Sequence, residues 1–205
     1  FSTSQDPHEL GTHFACDVLC RARQRIFMLR DCFSSFTICK LLPDEKSTSL
    51  KAAIIEATAE LKSPKGCSVR IDGATSLQCL TKDMELQRLG IQIEVGRIKN
   101  RNKNPVGEKA VGELEQELKR HNPEGRQITT SDLAIVTATL NKRVRNRGLT
   151  AKEILLQRDS LTGDQLNFND KLLAESQYKL RLASHGPSSR SHARTSQPAT
   201  PAHLN

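Results

Sequence analysis

The chain has 205 residues, a formal net charge of +8, 36% hydrophobic residues and no tryptophan. This length suits one domain with a tail, and the positive charge favours an anionic partner such as nucleic acid or a membrane surface. No apolar run approaches the length needed to span a bilayer, which argues against a transmembrane segment.

The first forty residues are rich in β-forming side chains. Segment 13–19, HFACDVL, is a short apolar run interrupted by Asp17. Segments 23–33 and 34–42 are two further β-rich runs, joined closely enough to form a hairpin or meander. We therefore expect three strands before the first helix.

The hydrophobic period changes at Ser47, where a helical pattern begins. We predict a strand over 67–72, a second helix with Gly90 as its C-cap, and an alternating strand over 91–95. The apolar residues at helical spacing are Leu50, Ile54, Ala57 and Leu61 in the first helix and Leu80, Met84 and Leu89 in the second.

Three more helices are predicted in the C-terminal half. The first runs from about Pro105 to His121, because Asn104 is a good N-cap and proline suits the first helical position. Another starts near Thr130 or Ser131, and a last short one falls within 150–158.

The order of these elements predicts a fold of the α/β class. An antiparallel meander followed by strand–helix crossovers forms a mixed five-stranded sheet flanked by helices on both faces. We divide the chain into an N-terminal extension (1–12), a core (13–125), the C-terminal helices of the core (126–160), and a linker with a tail (161–205). From Ser184 the tail has almost no large apolar residues, which predicts disorder.

The six cysteines contain no C-x-x-C pair. Most lie in apolar surroundings, so we expect buried, reduced thiols of an intracellular protein rather than zinc ligands or disulfides.

Three acids stand out at element boundaries or in apolar surroundings. Asp17 lies inside an apolar strand, Asp72 ends another strand, and Glu108 lies in the first turn of helix 105–121. A buried acid is costly unless it is compensated. A divalent cation would offset the repulsion between converging carboxylates, and oxygen ligands suit Mg²⁺ or Mn²⁺. Two such ions roughly 3.5–4 Å apart support phosphoryl transfer.

The position of Glu108 on its helix follows from the helical period. Glu108 falls about 60° from the nearest residue of the apolar stripe, at its edge, neither fully buried nor fully in solvent. The stripe consists of Val111, Leu114 and Leu118.

Each acid also has a structural explanation of its own. Glu108 complements the helix dipole, and Asp72 with Gly73 is typical of a strand-ending turn. Asp17 could pair with an arginine such as Arg30 on a neighbouring strand.

A basic, asparagine-rich stretch precedes Glu108. Segment 96–104 carries four basic residues and no acid, which favours contact with the DNA backbone. A second basic cluster near residue 145 fits a DNA face and the end of a helix about equally well. The predicted DNA-binding residues are Arg97, Lys99, Arg101, Lys103 and Lys109, and the second cluster is Lys142, Arg143, Arg145 and Arg147.

Thirty-five residues separate Asp72 from Glu108. Together with Asp17, this spacing resembles the Asp, Asp, thirty-five residues, Glu signature of retroviral and LTR-retrotransposon integrases. The flanking residues strengthen the resemblance, which covers about residues 12 to 160. "VRIDGATSL" resembles the strand of the second acid, "LGIQIEVGRIKNRNKNPVGEKAVGELEQEL" the fifth strand, catalytic loop and third-acid helix, and "NRGLTAKEILLQRD" the segment after the core.

The resemblance implies an RNase H-like fold and a DDE integrase or nucleotidyltransferase. It implies that DNA is cut and joined by in-line attack at phosphorus, with no covalent enzyme intermediate. Asp17, Asp72 and Glu108 would be the catalytic ligands of two Mg²⁺ or Mn²⁺ ions. The implied partner is DNA, with a homo-oligomer assembled on it and no membrane. The implied site of action is chromosomal DNA in the nucleus, reached through the cytoplasm.

The chain departs from the family pattern in three ways. Retroviral enzymes carry lysines where this chain has Gly112 and Glu115, for which Lys103, Lys109 or Lys119 could substitute. A His/His/Cys/Cys zinc module does not precede the core, and no C-terminal β-barrel is readable after residue 160.

Two other functions remain open. The first is a ribonuclease H-type nuclease, which typically uses a fourth acid; Asp132 is the only obvious candidate, and its place at a helix start argues for capping. The second is a decayed or domesticated, non-catalytic fragment that binds DNA.

Overall fold

A computed structural model of the chain describes residues 9–72, 78–96, 104–145 and 148–166. The predicted tail and most of the basic stretch lie outside these residues. The strands are β1 (His13–Arg21), β2 (Gln24–Asp31), β3 (Thr37–Leu42), β4 (Cys67–Ile71) and β5 (Ile91–Val95). The helices are α1 (Ser47–Ala59), a 3₁₀ turn (Cys79–Lys82), α2 (Met84–Arg88), α3 (Pro105–His121), α4 (Thr130–Asn141) and α5 (Ala151–Leu156).

The five strands form one sheet in the order β3-β2-β1-β4-β5. The first three pair antiparallel, as a meander, whereas β1 with β4 and β4 with β5 pair parallel. Parallel neighbours need a crossover between them, and α1 supplies the crossover from β3 to β4. The predicted mixed sheet is therefore confirmed.

Helices cover both faces of the sheet, each over its own apolar cluster. Alternation along β1 sends Phe14 and Cys16 to the α1 face, and Leu19 to the face covered by α3 and α4. By the same period, Asp17 belongs to the α3 face. The second cluster comprises Leu19, Ile26, Met28, Ala110, Leu114, Leu118, Ile128, Leu133, Val136 and Leu140.

The prediction of a single second helix was wrong. The segment forms a short 3₁₀ turn and then a separate helix, because the Asp83 side chain accepts hydrogen bonds from the backbone N–H groups of Glu85 and Leu86 and starts α2 as its N-cap. Leu86 is buried, whereas Met84 is 66% exposed. Gly90 follows α2 with a φ of 70°, in agreement with the predicted helix end.

Helix α3 begins as predicted, with Asn104 as N-cap and Pro105 in the first turn. Its apolar stripe differs in one position, because Val111 is only half-buried while Ala110 is buried. Helix α4 begins with a capping box, in which Thr129 and Asp132 exchange hydrogen bonds. Capping therefore accounts for the position of Asp132.

The cysteines only partly match the predicted burial. Cys16 and Cys67 are buried, but Cys20 and Cys79 are exposed. Cys20 lies near the end of β1, where its Sγ donates to the exposed Glu45 carboxylate. Among the described helices, none has both the length and the apolar character that crossing a membrane requires.

A buried ion network ties α3 to the sheet and to the segment after α4. The Arg30 side chain is 3% exposed and donates to Glu113 at 2.7 Å, and Arg145 donates to both Glu113 carboxylate oxygens at 2.8 Å. Next along α3, Glu117 pairs with Arg143 and with Arg120. Burial by itself would raise the pKa of Glu113, but Arg30 and Arg145 outweigh it and hold that pKa below its ordinary value.

We expect Glu113→Gln to lower the free energy of unfolding by about 2–3 kcal/mol at pH 7, since glutamine keeps an acceptor but leaves Arg30 buried without its counter-charge. The folded-state pKa of Glu113 is depressed. The stability difference is therefore full above the ordinary glutamate pKa and disappears as pH falls through the folded-state value. Urea denaturation across pH measures it.

The matched control is Glu124→Gln, which removes an exposed carboxylate paired with Arg126. Its effect should stay below about 1 kcal/mol at every pH. Equal effects of the two variants would contradict the role of the buried network.

Candidate functional site

Asp17 lies at the middle of β1, the central strand of the sheet. Its side chain is half-buried, and its Oδ1 accepts a hydrogen bond from the Val18 backbone N–H at 2.8 Å. The alternative that Asp17 pairs with Arg30 is wrong, because Arg30 donates instead to Glu113 and Thr37. The ion network described above thus takes the arginine that could have neutralised Asp17.

Asp72 immediately follows β4, the strand next to β1. The parallel register pairs Ala15 with Arg70, and the same offset of 55 places Asp72 level with Asp17. Val69 and Ile71 belong to the α1 cluster, so alternation directs Asp72 to the opposite face, the α3 face, as it does Asp17. Asp72 itself is exposed.

Glu108 lies in the first turn of α3, where its backbone N–H donates to the Asn104 carbonyl at 2.9 Å. Its side chain is exposed, although the helical period predicted an intermediate position. The difference arises because the buried side of α3 is centred on Gly107, Ala110 and Leu114. The Glu108 side chain therefore points away from the buried side of α3.

The three acids interact electrostatically. Burial raises the pKa of Asp17 above its ordinary value, and the Val18 N–H acts in the opposite direction. The negative charges of Asp72 and Glu108 raise it further. The register of β1 and β4 and the packing of α3 on the sheet thus place the three sequence-predicted residues on neighbouring elements.

These three carboxylates have the donor chemistry that Mg²⁺ and Mn²⁺ prefer, and their mutual repulsion is what a cation would relieve. The residues therefore fit a divalent metal by charge and donor type. Within the part of the chain that the structure describes, no group of three or more His, Cys, Asp or Glu side chains has the geometry of a metal site.

The basic residues divide into two groups. Arg97, Lys99, Arg101 and Lys103 lie outside the described residues, while Lys109 is exposed one position after Glu108.

The second basic cluster contributes to the fold. Arg143 and Arg145 face α3 and pair with Glu117 and Glu113. Helical spacing alone did not indicate this use, because the partners are about thirty residues away in the chain.

One contributor to the site was missed by the sequence reasoning. Asn104 was expected only to cap α3, yet its side-chain amide also donates to the Cys16 carbonyl of β1. Its place before a proline signals a cap, and nothing in the sequence signals the second contact.

We expect Asp17→Asn to raise the melting temperature of the protein in the presence of a metal chelator. The folded-state pKa of Asp17 lies above its unfolded-state value, so the ionised carboxylate destabilises the fold at neutral pH. The gain should be largest at neutral pH and shrink as pH falls through the folded-state pKa. Calorimetry measures it.

Asp164→Asn is the control, because Asp164 is exposed and lies after α5. It should leave the melting temperature unchanged. A chelated Asp17→Asn variant that melts at or below the wild-type temperature would show that the three carboxylates do not strain the fold.

Solved structures share this arrangement of strands and helices. The catalytic core domain of BIV integrase matches with a TM-score of 0.55 and 19% identity, over 72% of this chain and 95% of that chain. A chain of the simian T-cell lymphotropic virus intasome, solved in complex with PP2A regulatory subunit B56 gamma, matches with a TM-score of 0.61 and 16% identity. That match covers 80% of this chain and 61% of the other.

Neither protein-family models nor curated proteins match the chain. At the identities above, the structural likeness concerns the fold. The chain has the RNase H-like fold of a retroviral integrase catalytic core.

Proposed function

We propose that this chain is a polynucleotidyl transferase that cuts and joins DNA strands, with Asp17, Asp72 and Glu108 as its catalytic residues. The observation that carries the proposal is the parallel register of β1 and β4, which sets Asp72 level with Asp17 on the face over which α3 packs, with Glu108 in its first turn. Acids drawn from β1, from the end of β4 and from α3 have no structural need to share one region. Their repulsion is a cost that a metal-binding function explains.

The reaction follows from the chemistry of a phosphodiester. A 3′-hydroxyl oxygen of one DNA strand attacks phosphorus in the other, forming one P–O bond as the bond to the departing 3′-oxygen breaks. The attacking hydroxyl loses its proton, and the departing oxygen gains one. When bound, two Mg²⁺ or Mn²⁺ ions would favour the attacking alkoxide and offset the charge on phosphate.

The residues of this chain would bind the metal ions and hold the DNA. Asp17, Asp72 and Glu108 supply the oxygen ligands, held on a strand, a strand end and a helix turn. The positive charge near Glu108, including exposed Lys109, holds the DNA backbone without reading its sequence. Assembly as a homo-oligomer on DNA accords with the intasome in which one structural neighbour was solved, and chromosomal DNA in the nucleus is the proposed target.

The activity test uses a branched DNA that mimics a joined product, with Mg²⁺ or Mn²⁺. We expect the wild-type chain to resolve it by strand transfer. Asp72→Asn and Glu108→Gln should each reduce the rate by at least about a hundredfold, because both lose a ligand charge but keep the side-chain shape. Both variants should bind DNA almost as tightly as the wild type, measured by fluorescence anisotropy.

The controls for these variants are Asp164→Asn and Glu124→Gln, which make the same chemical changes at exposed acids elsewhere. Full activity of both site variants would refute the assignment. A wild-type chain that binds DNA but is inactive with both metals would favour the non-catalytic fragment. Cleavage of the RNA strand of a hybrid, with branched DNA ignored, would favour the ribonuclease.

The basic stretch has its own test in the salt dependence of DNA binding. Replacing Lys99, Arg101 and Lys103 together by glutamine should reduce the slope of log affinity against log salt by about 0.9 for each lost phosphate contact. Titration of duplex DNA at several salt concentrations measures this slope.

The matched control replaces three exposed lysines far from Glu108 in the chain, Lys46, Lys65 and Lys82, by glutamine. It lowers the net charge equally and should leave the slope nearly unchanged. Equal slopes for the two triple variants would mean that the stretch does not contact the DNA backbone.

A further inference from the structure

The buried side chain of Asn104 joins α3 to two strands of the sheet. Asn104 is 2% exposed, and its Oδ1 accepts from the Gly107 N–H at 3.2 Å, as an N-cap does. Its Nδ2 donates to the Cys16 carbonyl oxygen at 2.9 Å and approaches the Arg70 carbonyl oxygen at 3.5 Å. Capping therefore uses only one side of this amide.

The two carbonyl groups belong to the segments that carry the proposed catalytic acids. Cys16 directly precedes Asp17, and Arg70 lies two residues before Asp72. The Asn104 backbone carbonyl in turn accepts from the Glu108 N–H at 2.9 Å. One residue thus contacts all three acid-bearing segments through hydrogen-bonding groups.

Gly107 provides the space that this arrangement needs. A Cβ atom at position 107 would lie 2.4 Å from the Asn104 Nδ2 and 2.8 Å from its Cγ. Both distances are too short, so any side chain there would displace the amide. Gly107 lies in the first turn of α3, where glycine is less favourable than alanine, and the close contact explains its presence.

We propose that Asn104 is a positioning residue, which holds the first turn of α3 against β1 and β4 so that Glu108 faces Asp17 and Asp72. Gly107 makes this contact possible. The inference rests on the proposed function, since it explains how the three proposed metal ligands are brought together. Asn104 is buried, and its proposed role is to act through these segments.

Two variants separate positioning from folding. Asn104→Ser keeps an N-cap of similar strength, so α3 still starts, but its hydroxyl is too short to reach both strands. Gly107→Ala raises helix propensity while its methyl group displaces the amide. Gly112→Ala is the matched control, because a Cβ there meets nothing within 4 Å on the same helix.

The first measurement is metal binding without DNA. Mn²⁺ is titrated into the whole chain, and the rise in melting temperature gives a half-saturating concentration. We expect this concentration to increase at least about tenfold in Asn104→Ser and Gly107→Ala, the usual effect of losing a group that orients metal ligands, and to stay unchanged in Gly112→Ala.

Kinetics and a direct probe of the contact complete the test. On branched DNA, kcat should fall at least tenfold in the two variants with little change in KM, because the DNA contacts remain.

In the chelated protein, the ¹⁵N shift of the Asp17 amide should change in Asn104→Ser, because that nitrogen shares a peptide group with the Cys16 carbonyl. Far-UV circular dichroism should show unchanged helix content.

The possible outcomes separate the two proposals. A wild-type chain that responds to Mn²⁺ and is active, with both variants equal to it, overturns the positioning role alone. An unchanged Asp17 shift in Asn104→Ser overturns it too. A wild-type chain that neither responds to metal nor resolves branched DNA overturns the proposed function, and this inference with it.

Discussion

The placement of helix α3 across the sheet is the constraint on which the rest of the site depends. Glu108 can meet Asp17 and Asp72 only if α3 lies at one height and angle over β1 and β4. Leu114 and Leu118 press the helix onto the sheet, but apolar contact is non-directional and tolerates sliding. Directional contacts set the height and angle: the buried Glu113 ion pairs midway along the helix and the Asn104 amide at its start.

Buried amides serve the same purpose at a second position in this fold. Asn141, the last residue of α4, accepts from the Thr37 N–H at 2.8 Å and donates to the Thr37 carbonyl at 2.7 Å. Each amide therefore locks the end of a helix on the α3 face to the backbone of a strand. Backbone groups at a strand edge need partners when buried, and an amide offers a donor and an acceptor together. The same hydrogen bonds therefore fix the position of the helix end and satisfy the buried backbone groups of the strand.

The stability and the proposed activity of this chain make opposite demands on charge. The fold neutralises the buried acids of α3, Glu113 and Glu117, with arginines. At the proposed site the arrangement is reversed, because burial and the like charges of Asp72 and Glu108 raise the pKa of Asp17. Arg30 extends from the strand beside β1 but is committed to Glu113. A half-buried acid near other carboxylates is the charge pattern that the proposed metal site would need.

Local pattern determined the elements of this protein, whereas contacts distant in sequence decided the site. Alternation predicted β5 at 91–95, and the Asn104-Pro105 pair with the apolar spacing predicted α3 over 105–121, because strand and helix periods act over a few residues. The same local rules misplaced the second helix, where Asp83 starts a new cap. Residue type and spacing also predicted the three acids as candidate site residues. Only the tertiary structure decided that Arg30 serves Glu113 rather than Asp17, and that Asn104 reaches Cys16, 88 positions away in the sequence. Such partners are chosen by the register of strands and the docking of helices, which no local pattern encodes.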